Sequence, residues 1–171
     1  MQKFFLLFLF TIALYGDITD FKTLKAAFIQ QIVNDQNQSI TYKGTLYVKQ
    51  PNLILWHYSS PIEKSIYISR HNVTVYEPEL YQAIIFDQRK ELDPVQIFKE
   101  SKEVSKTKRL SVFNDREITI IHNADKVEKI LFRDKVDNTV TIEFETYEKN
   151  IELNESLFIF KPEEGTDIIR Q

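Results

Sequence analysis

From Gly44 to Pro61 the chain reads GTLYVKQPNLILWHYSSP: an alternating run, a Pro51-Asn52 break, and a second run that carries the only tryptophan. Tyr42, Gly44, Leu46 and Val48 share one face of a strand, while Thr45 and Lys49 point the other way. Ile54, Trp56 and Tyr58 keep the same even parity, provided the break adds no slip of register, so one apolar sheet face runs through both strands. The pattern predicts strands over residues 40–50 and 53–58, then 64–69, 73–77 and 81–86, with turns short enough to favour antiparallel neighbours.

Upstream, Ile18, Phe21, Leu24, Ala27 and Phe28 are spaced three or four apart, with Asp17, Thr19 or Asp20 available as an N-cap. This predicts a first helix over residues 17–30. The period moves towards two between residues 28 and 33, and DQNQS at 35–39 is a polar turn into the next strand. Asp93-Pro94 opens a second helix, since Asp caps and Pro suits the first helical position; Val95, Ile97 or Phe98, and Val104 supply its apolar side. Alternation then resumes over residues 108–113, 117–122, 127–132, 139–146 and 157–160. In VTIEFETY, Val140, Ile142 and Phe144 oppose Thr141, Glu143 and Glu145, a one-sided strand.

The economical fold is α+β: one strongly curved antiparallel sheet forming an unclosed barrel, lidded by the N-terminal helix and one or two inserted helices. The concave apolar side is either filled with side chains or left partly open for a ligand; parity does not choose.

Residues 1–16, MQKFFLLFLFTIALYG, hold one lysine and then an apolar run too short for an anchored span, which reads as a cleavable export signal. Cleavage falls after Gly16 or after Ala13. With no internal repeat or linker, residues 17–171 are expected to form a single domain. The formal charge is -3, and one of the 22 Lys+Arg and none of the 25 Asp+Glu lie in the signal, so removal gives -4 and speaks against a nucleic-acid partner. Without cysteine the chain can form neither a disulfide nor a lipid-modified anchor, so the mature protein is expected to be freely soluble.

Three glycines, Gly16, Gly44 and Gly165, exclude phosphate-cradling loops and the nucleophile elbow by count. His57, His71 and His122 lie in separate segments without ligand spacing, and Asp134, Asp137 and Glu143 lack the glycine of a calcium loop, so no metal or other cofactor is expected. Glu143 and Glu145 face one way at strand spacing and read as a solvated face rather than an acid/base pair. The basic-rich KESKEVSKTKR at 99–109 reads as a solvated helix face and turn rather than a headgroup site. No catalytic constellation emerges.

Several motifs together resemble the LolA family of periplasmic carriers of outer-membrane lipoproteins. They are FIQQIVND with its F-x-Q, the Gly44 to Trp56 pattern with Pro51-Asn52, Pro61, Val73-Thr-Val-Tyr76-Glu-Pro78, Gln82, and the closing Phe158, Phe160, Pro162, Gly165 and Asp167. The resemblance implies an acyl-chain cavity, for which Leu46, Val48, Ile54, Trp56, Ile66 and Ile68 are the candidate lining and Phe21 and Leu24 the lid. Gln50 stands where the family commonly has an arginine that latches the lid, so the latch here lacks charge assistance. Arg70-His71-Asn72 replaces a common Asp-Gly turn. The implied partners are triacylated lipoproteins and an inner-membrane LolCDE-type ABC transporter, with an outer-membrane receptor left open; the implied state is a periplasmic monomer. The runner-up is a lipid- or lipoprotein-sensing regulatory module of the same fold, and the third reading is a small periplasmic hydrolase.

Overall fold

The computed structural model describes residues 18–87, 94–113 and 115–171. The expected signal segment and the Asp93 cap lie outside them. Among the described residues the strands are β1 (Thr23–Val33), β2 (Ser39–Lys49), β3 (Leu53–Ser60), β4 (Lys64–Ile68), β5 (Asn72–Glu77) and β6 (Gln82–Asp87). A short helix, α1 (Pro94–Glu100), precedes β7 (Lys102–Ser105), β8 (Lys108–Phe113), β9 (Arg116–Asn123), β10 (Lys126–Arg133), β11 (Thr139–Phe144), β12 (Glu148–Lys149) and β13 (Asp167–Arg170). They make one sheet in the order β13-β6-β5-β4-β3-β2-β1-β11-β10-β9-β8-β7, with β12 beside the start of β1.

The sheet does not close, because β13 and β7 end it on opposite sides. It must curve strongly all the same, since Ile68 and Val73 from one wing and Ile130 and Phe132 from the other border a common cavity. All pairings are antiparallel except β13 on β6, where the chain returns from the far side and runs alongside the edge strand.

The expected first helix is not there: residues 23–33 form β1, at the middle of the sheet. Leu24, Ala26 and Phe28 point into the concave core, while Thr23 is buried on the other face, where its Oγ1 donates to the Ile151 carbonyl at 2.6 Å. A strand covered on both faces loses its clean alternation, and the sequence then mimics a helical stripe. Pairing with β2 along the whole of β1, and with β11 along its second half, decides the matter. Phe21 and Leu24 are therefore core residues before and within a strand, not the face of a helical lid.

The helix expected after Asp93 is present as α1, with Ile97 buried and Phe98 half-buried against the core. Val104 belongs instead to edge strand β7 and is exposed. The strand expected over 157–160 is a 3-10 turn, Glu155–Phe158, whose first N–H groups are met by Asn154 Oδ1 accepting from the Ser156 amide at 2.9 Å.

Residues 150–160 form a strap over the convex face. The Asn150 amide donates to the Thr23 carbonyl, Lys49 Nζ donates to the Leu153 carbonyl, and Phe160 packs against Tyr67 and Tyr76 at ring distances of 5.8 and 5.1 Å. Tyr67 and Tyr76 have the parity opposite to Ile66 and Val75, which places the strap outside and leaves the inside to the cavity.

Candidate functional site

The Pro51-Asn52 break preserves parity, as Val48 faces Ile54 and Leu46 faces Trp56 across β2 and β3. Ile54 then faces Ile68 and Trp56 faces Ile66 on β4, and these face Val73 and Val75 on β5. Each row is continuous and apolar, so a coherent concave wall is built from residues far apart in sequence. The second wing repeats the device: Gln30 faces Ile142, which faces Ile130, which faces Ile120.

Gly44 makes the centre of this wall compact. It stands at a bulge between Phe28 and Tyr58, and the Phe28 ring lies over it. A Cβ at Gly44 would collide with the His57 carbonyl oxygen and come within 2.7 Å of Phe28 Cζ. Phe28 is in turn met edge-on by Trp56 and Tyr58, at 5.1 and 5.2 Å, which fixes all three rings.

One part of the concave space is filled. Ile18, Phe21, Leu24, Leu46, Val48 and Ile54 are buried in the core and do not border the open space. The other part is hollow, a cavity of about 350 Å³. Trp56, Tyr58, Ile66, Ile68, Val73, Val75 and Phe86 line it from one wing, Ile118, Ile130, Phe132 and Ile142 from the other, Ile97 and Phe98 from α1, and Gln30 from β1. Ile66, Phe86, Phe98 and Phe132 are only half-buried, so the cavity reaches solvent. Its size is at the lower end of the roughly 300–1,000 Å³ of ligand sites. Such a space, walled by hydrocarbon and aromatic rings, favours apolar chains over polar ligands by about 25 cal/mol per Å² buried.

Of the residues that the sequence puts forward, Trp56, Ile66 and Ile68 therefore stand on the cavity wall, while Leu46, Val48 and Ile54 lie in the filled part. Sequence reasoning misses the second wing and Phe86, although alternation over 117–122, 127–132 and 139–146 carries the signal. What alternation cannot say is which of its two faces turns towards Trp56. Gln50 joins the N-terminal segment to the sheet: its Nε2 donates to the Thr19 carbonyl at 3.0 Å, and its amide donates to the Lys22 carbonyl at 2.9 Å.

Catalytic groupings are not assembled among the described residues. Glu143 is paired with Lys129 at 2.6 Å on the outer face. Among the described residues no three His, Cys, Asp or Glu converge as a metal site would need, and no helix is long and apolar enough to cross a membrane.

An open, curved sheet around a half-empty apolar hollow defines a class of protein that binds and shelters apolar chains. The family model of the outer membrane lipoprotein carrier protein LolA matches residues 19–126. This chain belongs to the LolA family. The outer-membrane lipoprotein carrier protein of Wolinella succinogenes is 33% identical over 87% of this chain and 87% of its own length. Solved structures agree in fold: a conserved uncharacterized protein of Thermus thermophilus has a TM-score of 0.58 at 12% identity, over 92% of this chain and 95% of its own. A LolA superfamily protein of Nitrosomonas europaea has a TM-score of 0.53 at 8% identity, over 82% and 91%.

Proposed function

We infer that this chain is a periplasmic carrier that shelters the acyl chains of lipoproteins and moves them from the inner to the outer membrane without catalysis. The observation that carries this is the hollow half of the concave face: apolar walls left unfilled in a protein that could have closed on its own side chains. Each exposed CH₂ of an acyl chain costs about 0.8 kcal/mol in water, so such a hollow stabilises a lipid tail strongly, while dispersed contacts still permit release. Triacylated lipoproteins are the cargo, an inner-membrane LolCDE-type ABC transporter is the donor, and an outer-membrane receptor is a further candidate acceptor. The carrier acts as a monomer.

Several long tails need more room than the resting cavity offers. Withdrawal of residues 18–22, with Ile18 and Phe21, would open the filled part and add Leu46, Val48 and Ile54 to the lining. In this reading Phe21 is the plug, Leu24 stays in β1 behind it, and Gln50 is the latch, bonded to Thr19 through a neutral amide.

Co-expression with a lipoprotein followed by native mass spectrometry tests the reading. The expected species is the protein with one lipidated cargo molecule; recovery of the bare chain alone, with no uptake of lipopeptide added afterwards, would overturn it. Gln50→Arg is expected to slow uptake and leave the fold unchanged, and equal uptake and release by both forms would remove the latch.

A further inference from the structure

Among the described residues the cavity wall carries one amide, Gln30, the second member of the F-x-Q motif. It lies on β1 between Tyr42 on β2 and Ile142 on β11. Tyr58 Oη donates to Gln30 Oε1 at 2.8 Å, which fixes the plane of the amide and occupies its oxygen. The NH₂ half has no acceptor among the described residues, and it belongs to a residue of the cavity wall. Burial, and then the neighbouring Tyr42, push the Tyr58 phenol up to about 12, so it keeps its proton and remains the donor across the working range of pH. Polar groups gather at this end of the cavity: Tyr42 meets Tyr58 edge-on at 5.8 Å, and Lys64 Nζ lies 4.9 Å from the centre of the Tyr58 ring.

A fixed donor in an apolar wall has a specific complement. It is an acceptor oxygen borne by a molecule whose remainder is hydrocarbon. The reason is that Gln30 is half-buried and open to water at rest, and once bound hydrocarbon excludes that water an unmet donor and an unmet acceptor each cost about 1–3 kcal/mol. We propose that Gln30, held by Tyr58, is a specificity-determining residue that donates a hydrogen bond to the ester or amide carbonyl joining an acyl chain to its head group. The inference rests on the carrier reading and adds to it a polar register point, which tells an acylated molecule from a plain hydrocarbon and sets how deep the chains sit.

The test compares didecanoylglycerol with its diether analogue, which has chains of similar length and no carbonyl. Both are measured by displacement of a fluorescent fatty-acyl probe from the full mature chain. The wild type is expected to bind the ester about five- to tenfold more tightly, the effect of one neutral hydrogen bond. Gln30→Leu is expected to bring the ratio to about one, by weakening the ester and by relieving the diether of an unmet amide donor. Tyr58→Phe, which frees the amide to turn, is expected to lower the ratio part of the way. Gln30→Met serves if the leucine variant does not fold. A role confined to satisfying the Tyr58 hydroxyl would leave the ratio unmoved in every folded variant, and that result, or a wild-type ratio of one, overturns the inference alone. Failure of the wild type to bind the probe and both lipids would overturn the carrier reading with it.

Discussion

The filled and the hollow parts of the concave face are made from the same strands, with the same parity and nearly the same residue types. Ile54 on β3 is 2% exposed and stands opposite Val48, in the buried cluster that also holds Leu24, Ile18 and Phe21. Ile66 on β4, one row away and equally apolar, is half-buried and borders the cavity. The difference lies in what arrives to cover each. The N-terminal segment, tied down by Gln50, brings Ile18 and Phe21 to the filled part, whereas among the described residues α1 brings Ile97 and Phe98 to the cavity. Hydrophobic patterning thus makes a wall, and a wall becomes core or cavity according to the length and placement of its covering segments.

Asparagine placed at each of the two positions puts this contrast to its hardest test. Ile54→Asn buries an unpartnered amide and removes a packed side chain, and is expected to cost about 3–5 kcal/mol in urea denaturation. Ile66→Asn leaves the amide within reach of water and is expected to cost about 1 kcal/mol or less, while acyl-probe affinity falls about tenfold because the bound chain would have to dehydrate it. Equal losses of stability at the two sites would show that the hollow is not a hollow in solution.

A gentler probe acts on the cover. Gln50→Ala removes the bond to the Thr19 carbonyl, and the expected loss of about 1 kcal/mol should speed amide hydrogen exchange in residues 18–24 about fivefold. Exchange in the β9–β10 hairpin should not change. If residues 18–24 exchange at the wild-type rate, Gln50 holds nothing that matters to the filled part.

The smallest effect concerns Lys149, which lies 5.7 Å from the Phe21 ring centre and donates to Asp125 Oδ2 at 3.0 Å. The hydrogen bond from Lys149 holds the Asp125 carboxyl below the usual carboxylate range, against a smaller opposing effect of burial. A lowered folded-state pKa gives a contribution that is complete above the unfolded value, about pH 4, and is lost as the pH falls through the lower folded one. Asp125→Asn should therefore cost under about 1 kcal/mol at neutral pH, since the carboxylate is partly exposed, and should flatten the acid limb of stability below about pH 4. An unchanged acid limb would mean that the pair contributes nothing to anchoring this corner.

Much of the sheet is directly legible. Alternation places β2 to β5 and β8 to β10 to within a residue or two, because in each the concave face is consistently apolar and a slip would turn every side chain to the wrong side. Pro94 marks the start of α1 through local chemistry, at the helical position where its missing N–H costs nothing. Reading fails where burial is two-sided or non-local. β1 lies under the C-terminal strap as well as over the cavity, so its Thr23 and Leu24 are both hidden and the spacing passes for helical. Phe158 and Phe160 alternate as a strand would, yet a capped 3-10 turn buries the first and the strap carries the second onto Tyr67 and Tyr76.

Residue order alone settles which residues alternate within each strand, the position of α1 and the motif set that marks the family. All of these follow from residue-by-residue chemistry and from a period of two. It took the folded chain to make β1 a strand, to cover Leu46, Val48 and Ile54 while Trp56, Ile66 and Ile68 face a space, and to bring Gln30 and Tyr58 together inside it. Those outcomes depend on which surfaces curvature brings together and on how much volume the covering segments can fill, quantities that no local pattern encodes.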